Sequence, residues 1–140
     1  MPDRIRSLVT TVPVEAKELT GLSATVDDVI YMPSLQAPED RPHPFVYFIT
    51  ISNQSSETVT IRGRKWIISQ DDSREKTVVE GEGVVNQTPR LAPGDDFSYN
   101  SYHVVDRNSQ ATGAFFATTD EGRVVFAKIP DFEMQVPQWA

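Results

Sequence analysis

The sequence contains no cysteine among its 140 residues. This absence excludes a disulfide framework, a thiolate metal site and a cysteine nucleophile. Histidine is also scarce, because His43 and His103 are the only two and lie far apart. No His-x-His or His-x-x-x-His spacing exists, so a transition-metal site would need ligands from distant parts of the chain. We therefore expect no metal site and no cofactor, and we expect both histidines to be exposed to solvent.

Positive charge and long apolar runs are lacking as well. The chain has 13 Lys and Arg against 20 Asp and Glu, a formal net charge of −7, which disfavours binding to nucleic acid or to an anionic membrane. No apolar run approaches the roughly 20 residues of a membrane span. The N-terminus carries Pro13 and several charges where a signal peptide would be apolar. We expect a cytoplasmic protein with no nucleic-acid and no membrane partner.

Catalytic motifs are absent too. There is no Gly-x-Ser-x-Gly elbow, and neither histidine lies near a serine in a pattern typical of a catalytic triad. Pairs of acidic residues occur at 27–28, 71–72, 95–96 and 120–121. We interpret most of them as solvated turn residues, with a weak divalent-cation site as the alternative. The sequence predicts a protein that is not an enzyme.

What the sequence does contain is a series of short strand patterns. Apolar and polar residues alternate over Leu22–Tyr31, 45–53, 58–62 continuing through 66–68, Lys76–Glu82, 97–101, 113–119 and 123–129. Both faces of the strand at 45–53 are largely apolar near its start, so it is predicted to be a central strand. A last short edge strand is predicted around Phe132 and Met134. Four prolines in 33–44 exclude helix and central strand, so this segment is predicted to be a loop and a candidate binding loop.

Turn and bulge signals separate these patterns. Asp27 and Asp28 mark a bulge or an exposed edge, and Gly63 marks a bend or bulge. Pro93-Gly94 fits a type II turn, and 120–122 is a hairpin signal. With no helical period, the chain is predicted to be one all-β sandwich of about seven to eight antiparallel strands. We place its core at about 14–136, after an N-terminal arm at 1–13.

Two segments are candidate binding sites. Gly81, Glu82 and Gly83, followed by two valines and Asn86, fall one residue short of a Gly-x-Gly-x-x-Gly phosphate loop. Asn86 replaces the third glycine, Pro89 would break a helix begun there, and the glutamates would repel a phosphate. The structural alternative is that the two glycines permit a bend between strands.

The second segment is a basic cluster of Arg62, Arg64 and Lys65 beside Trp66. It could bind an anion or an acidic partner. Alternatively, strand alternation sends the basic side chains to solvent while Trp66 fills the core, which matches the burial preferences of these residue types.

A set of short runs along the chain is distinctive in combination: YFITISN at 47–53, RKWII at 64–68, GEGVV at 81–85, PRLAPG at 89–94, FSYNS at 97–101, Gly113 and IPDF at 129–132. On these runs the sequence resembles the ApaG family, a bacterial domain also found fused in eukaryotic F-box and polymerase-interacting proteins. The resemblance covers roughly 24–134.

The resemblance implies an immunoglobulin-like, fibronectin type III-like β-sandwich without established enzymatic activity. It also implies an association with cobalt tolerance and magnesium efflux, and a protein-binding module. The glycine-rich stretch of the family has been discussed as a pyrophosphate site. This chain departs from the family pattern there, with Asn86 in place of Gly, Gln87 in place of an acid and Lys65 in place of His.

We therefore predict a non-enzymatic protein-interaction module of the ApaG type. The alternatives are a weak nucleotide or pyrophosphate binder and a divalent-metal binder. A protein partner is expected, and the oligomeric state, including a homodimer, is left open. The predicted binding residues are Arg62, Arg64, Lys65, Trp66, Gly81, Glu82, Gly83 and Asn86; no catalytic residue is predicted.

Overall fold

The structure is a computed structural model that describes residues 16–140. The predicted arm at 1–13 lies outside the described residues. The described part of the chain contains nine strands: β1 Lys17–Glu18, β2 Leu22–Tyr31, β3 His43–Asn53, β4 Val59–Gln70, β5 Lys76–Glu82, β6 Arg90–Leu91, β7 Asp96–Val105, β8 Ser109–Thr119 and β9 Val124–Met134. Among residues 16–140, no helix is long and apolar enough to cross a membrane.

The strands form two sheets that pack face to face. The smaller sheet has the order β2-β3-β7, and the larger one has the order β1-β9-β8-β4-β5, with β6 also paired to β4. Every pairing is antiparallel except that of β1 with β9. The predicted all-β sandwich is confirmed, and this arrangement agrees with the immunoglobulin-like fold that the resemblance implies.

Strand β3 lies at the centre of the smaller sheet, as its apolar sequence predicts. Alternate residues, Phe45, Tyr47, Ile49 and Ile51, are buried against the larger sheet. The turn signals are confirmed as well. Gly94 has φ +95° in a turn closed by the Asp95 amide, which donates to the Ala92 carbonyl at 2.9 Å.

Three bulges interrupt the regular alternation. The pairing register shifts at Asp27 in β2, at Arg62 in β4 and at Pro130-Asp131 in β9. An extra residue on one strand reverses which face the following side chains occupy. The first two were predicted, at the adjacent acids and beside Gly63.

The reversal is clearest in β4. Val59 and Ile61 face the core before the bulge, whereas Trp66 and Ile68 face it afterwards. Without the extra residue at Arg62, the indole of Trp66 would point to solvent and its basic neighbours would point inward. The bulge therefore decides which part of this segment is core.

The prediction of a separate edge strand around Phe132 and Met134 is wrong because of the bulge in β9. Phe132 and Met134 do not form a separate edge strand, because β9 continues past Pro130 and lies between β8 and β1. Proline cannot donate a ladder hydrogen bond and is tolerated at a bulge. The extra residue there turns both side chains toward the core, where Phe132 is 8% exposed and Met134 is fully buried.

The predicted exposure of His103 was also wrong. Strand β7 extends to Val105, so the imidazole lies on the inward face and is 7% exposed. Its ring centroid is 4.7 Å from that of Tyr47, 4.8 Å from that of Trp66 and 6.3 Å from that of Phe132. His43 is half-buried, with Nδ1 2.9 Å from the hydroxyl of Tyr31.

Trp66 occupies the centre of the core and is fully buried. Gly113 on the neighbouring strand makes room for it. A Cβ at this position would lie 2.9 Å from Trp66 Cε3 and 2.7 Å from the carbonyl oxygen of Lys65. Backbone atoms cannot move away as easily as the end of a flexible side chain. Even alanine at this position would therefore force the neighbouring strand or the indole to shift.

Gly113→Ala is expected to destabilise the fold by about 1–3 kcal/mol, because the added methyl group overpacks the core beside Trp66. Urea unfolding of the two proteins measures the difference. Ala114→Ser, one residue along and on the outer face, is the matched control and should change stability by less than about 0.5 kcal/mol. Equal stability of Gly113→Ala and wild type would contradict this account of the glycine.

His103 gives the fold a dependence on pH. Burial lowers the pKa of His103 from 6.5 to about 4, and its Nε2 has no hydrogen-bond partner among the described residues. The unfolded chain therefore binds a proton at a higher pH than the folded chain does. The contribution of the neutral ring to stability is complete above pH 6.5 and is lost as the pH falls toward 4.

The expected loss across this interval is roughly 3 kcal/mol. The comparison is with His103→Phe, which keeps an aromatic ring but cannot be protonated. Unfolding free energies of both proteins are measured between pH 7.5 and 4, and the wild type should lose about 3 kcal/mol more than the variant as the pH falls. Parallel pH profiles would show that His103 does not titrate on unfolding.

Candidate functional site

Pairing of β4 with β5 brings the two candidate segments together. Gly63 lies opposite Glu82, and Arg64 lies opposite Gly81. A shallow cleft of about 380 Å³ opens between these strands. Its lining consists of Arg62, Gly63, Arg64, Glu80, Gly81, Glu82 and Phe116. Four of the eight predicted binding residues therefore share one cleft.

The Arg64 side chain on β4 forms hydrogen bonds with the backbone at the end of β5. Its guanidinium lies across Gly81, where a Cβ would come within 2.6 Å of Nη1. Nη1 donates to the carbonyl oxygens of Glu82 at 3.1 Å and Gly83 at 3.0 Å. Gly81 is therefore needed so that the arginine can reach the backbone beyond it, which is a structural role for this glycine.

The positive charge of Arg64 also affects the pKa of two tyrosines inside the sandwich. Burial raises the pKa of Tyr47 and of Tyr99, and the nearby guanidinium partly offsets both increases. Both phenols stay protonated at neutral pH. Arg64 thus lies between the cleft and the core and is half-buried, whereas Arg62 is exposed and donates from Nε to the Thr118 hydroxyl at 2.9 Å.

The glycine-rich segment ends in a tight turn. Val84 and Gln87 exchange two backbone hydrogen bonds of 2.8 and 2.9 Å, and the residues between them, Val85 and Asn86, have φ of +44° and +64°. Two consecutive positive φ values define a type I′ turn. Asn86 suits this conformation, which explains why asparagine is tolerated where the family pattern has glycine.

The same hydrogen bonds occupy the amides that a phosphate loop would need. Gly83 N–H donates to the Arg62 carbonyl at 2.7 Å, and the amides of Val84 and Gln87 close the turn. Within residues 16–140, no helix begins after this segment, so the helix N-terminus on which a dinucleotide fingerprint depends is not formed. Two arginines and two glutamates line the cleft, so its formal charge is balanced. This arrangement favours the structural interpretation of the glycines.

Four predicted binding residues lie outside the cleft lining. Trp66 is fully buried, so it cannot contact a ligand at the surface of the folded chain. Gly83 is buried beneath the turn, and Asn86 is exposed at its tip. Lys65 belongs to a neighbouring groove on the outer face of the larger sheet.

The other candidate features lie elsewhere. The connection between β2 and β3 covers residues 32–42, and its Gln36 carbonyl accepts a hydrogen bond of 3.1 Å from the Tyr102 hydroxyl. The predicted loop at 33–44 is wrong at its end, because His43 and Pro44 belong to the central strand β3. Proline is tolerated near the beginning of a strand. Among the described residues, no three His, Asp or Glu side chains are grouped closely enough to hold a metal ion.

Sequence reasoning missed the apolar residues of the outer face. Phe116 lines the cleft, and Phe126 packs against it with ring centroids 6.5 Å apart. The signal was present in Phe115-Phe116, because adjacent strand residues point to opposite faces and both cannot be buried in one core. Phe115 is fully buried, and its neighbour faces outward.

Val85 is strained, since β-branched residues rarely adopt a positive φ. Val85→Asn is expected to stabilise the fold by about 1 kcal/mol, as measured by urea unfolding. Val78→Asn is the control, because it replaces an exposed valine in a strand, where no backbone strain is relieved. No stability gain at Val85, or an equal gain in the control, would contradict the assignment of strain.

Comparisons with known proteins agree with this architecture. The family model described as "ApaG domain" matches residues 33–118. The proteins named Protein ApaG from Citrobacter koseri and Salmonella arizonae are each 35% identical over 109 residues, which span 77% of this chain and 86% of theirs.

Two solved structures share the fold at 27% sequence identity. The X-ray structure of Northeast Structural Genomics Consortium target SoR45 has a TM-score of 0.74 and covers 86% of this chain and 90% of its own. The putative ApaA protein from Bordetella pertussis has a TM-score of 0.70 and covers 88% and 98%. The family model and the curated relatives each span most of the chain. The protein with this sequence therefore belongs to the ApaG domain family.

Proposed function

We propose that this chain is a non-enzymatic protein-interaction module that holds its partner along strand β5. The observation that carries the proposal is the exposure of this strand. Val78 is 52% exposed and Val79 is 36% exposed, although they lie on opposite faces of the sheet. Monomeric proteins usually protect an apolar edge strand, so one that is exposed on both faces is a candidate binding surface.

The position of β5 explains why both faces are open. It is the last strand of the larger sheet, and its other edge is unpaired among the described residues. Val79 shares a face with the buried Trp66, yet it remains accessible because the smaller sheet does not extend over it. A partner strand could add to this edge through backbone hydrogen bonds, with the valines supplying apolar contact.

The geometry gives the rival functions less support. Nucleotide binding would need backbone amides that the turn at 84–87 already uses, in a cleft where acidic and basic side chains are balanced. Divalent-metal binding would need a cluster of ligands beyond any found among residues 16–140. The link to cobalt tolerance and magnesium efflux is implied by the resemblance and stays a prediction.

The double substitution Val78→Lys and Val79→Lys is expected to abolish partner capture while the protein stays folded. Lysines solvate an edge strand and prevent strand addition. Affinity capture from cells of the source organism, quantified by mass spectrometry, should show proteins that wild type retains and the variant loses.

The matched control is Ser98→Lys with Asn100→Lys on β7, an edge strand of the smaller sheet with the same added charge. It should retain the same proteins as wild type. Identical capture by wild type and the β5 variant would exclude β5 as the binding surface.

A further inference from the structure

The outer face of the larger sheet carries an apolar groove between two lysines. The groove has a volume of about 390 Å³. We call it the lysine groove and define it by Lys65, Ile67, Ala114, Phe116, Phe126 and Lys128. In a two-layer sandwich, this face has no further layer to cover it, so its side chains are polar in most proteins. Half-buried aromatic and aliphatic residues on this face therefore form a candidate contact surface.

Cross-strand register gives the groove its shape. Ala114 lies directly opposite Lys65 on one side and Lys128 on the other. The methyl group of Ala114 forms a low floor between the two longer side chains. Along the strands, the Phe116 and Phe126 rings stand at one end of this floor, and Ile67 stands at the other. The space above Ala114 thus fits one apolar side chain.

The lysines make the groove basic in an otherwise acidic protein. The chain has a net charge of −7, and neither lysine forms an ion pair among the described residues. Asp131 is the acidic residue in the lining, so within the lining two positive charges face one negative charge. Glu80 lies opposite Lys65 on β5, outside the lining. An anionic partner that also carries an apolar group complements both properties.

We propose that the lysine groove binds an extended peptide with the pattern acidic–x–apolar–x–acidic. Neighbouring strands are about 4.8 Å apart, so the backbones of Lys65 and Lys128 are separated by roughly 10 Å. In an extended peptide, residues i, i+2 and i+4 point to one face and span about 13 Å. The central apolar side chain rests on Ala114, and each carboxylate accepts hydrogen bonds from one flexible lysine.

This inference deepens the proposed function and rests on it, because it names the chemistry of a partner segment. The groove nevertheless differs from the edge of β5. Ile67 is paired with Val78, so one partner chain could contact both surfaces. Substitutions at Lys65 and Lys128 leave the β5 edge unchanged, so the two surfaces can be tested separately.

The test is selection of a displayed library of random 12-residue peptides against the folded protein. Enriched peptides are synthesised, and their affinity is measured by fluorescence polarisation. We expect the acidic–x–apolar–x–acidic pattern among them. Lys65→Glu with Lys128→Glu should weaken binding by about tenfold or more, since two attractive contacts become repulsive.

Two further variants separate a local effect from a general one. Lys17→Glu with Arg107→Glu introduces the same change in net charge at exposed positions outside both the groove and β5, and it should leave affinity within about twofold. Ala114→Phe fills the floor without changing charge and should also weaken binding. Thermal unfolding of each variant confirms that it is folded before affinity is compared.

The outcomes distinguish the groove from the proposed function. Peptides whose binding is lost with the β5 lysines but kept with Lys65→Glu and Lys128→Glu would refute the groove and support the edge strand. Equal weakening by both charge-reversal pairs would reduce the effect to net charge and refute the groove. Enrichment of no peptide would count against both the groove and the interaction module.

Discussion

The fold depends on the burial of the Trp66 indole, and that burial depends on one extra residue in β4. A strand in a sandwich has one face toward the core, so a period of two decides which side chains are buried. The bulge at Arg62 shifts this period by one. It turns Trp66 inward, and the same shift leaves Lys65 on the outer face. A single local irregularity therefore supplies both the centre of the core and one wall of the lysine groove.

The rest of the core is built around this indole. Gly113 lacks the side chain that would collide with it, and Tyr47, His103 and Phe132 surround it with rings at centroid distances of 4.8–5.7 Å. Tilted and edge-on arrangements of this kind are favourable for aromatic pairs. The cost is a buried imidazole that must stay neutral, which couples the packing of the core to pH.

The glycine-rich segment is explained by the same strand pairing. Beyond β5, the chain leaves the edge of β4 at the bulge and returns as β6. Arg64 holds the departing backbone by its carbonyls, and the buried side chain of Val84 anchors the excursion in the core. The segment that resembles a phosphate loop thus connects β5 to β6 past the bulge in β4. Binding is proposed at the exposed valines of β5 and at the half-buried apolar residues of the outer face.

Alternation of apolar residues was sufficient to predict the sandwich, the central position of β3 and the turns, because these follow from local periodicity and from the backbone preferences of glycine and proline. It also placed bulges near Asp27 and Gly63. The bulge at Pro130-Asp131 was not predicted, and Phe132 was consequently assigned to an edge strand.

The contacts of the candidate site could not be predicted from local periodicity either. The sequence supplied the residue types. It could not show that Arg64 would donate hydrogen bonds to the carbonyls of Glu82 and Gly83, or that His103 would be buried. Both depend on which strands become neighbours, and pairing between distant segments leaves no mark on the periodicity of either. By itself, the sequence determined strands, turns and family. Tertiary structure decided the faces, because each bulge reverses them and only contact with the opposite sheet defines which face is the core.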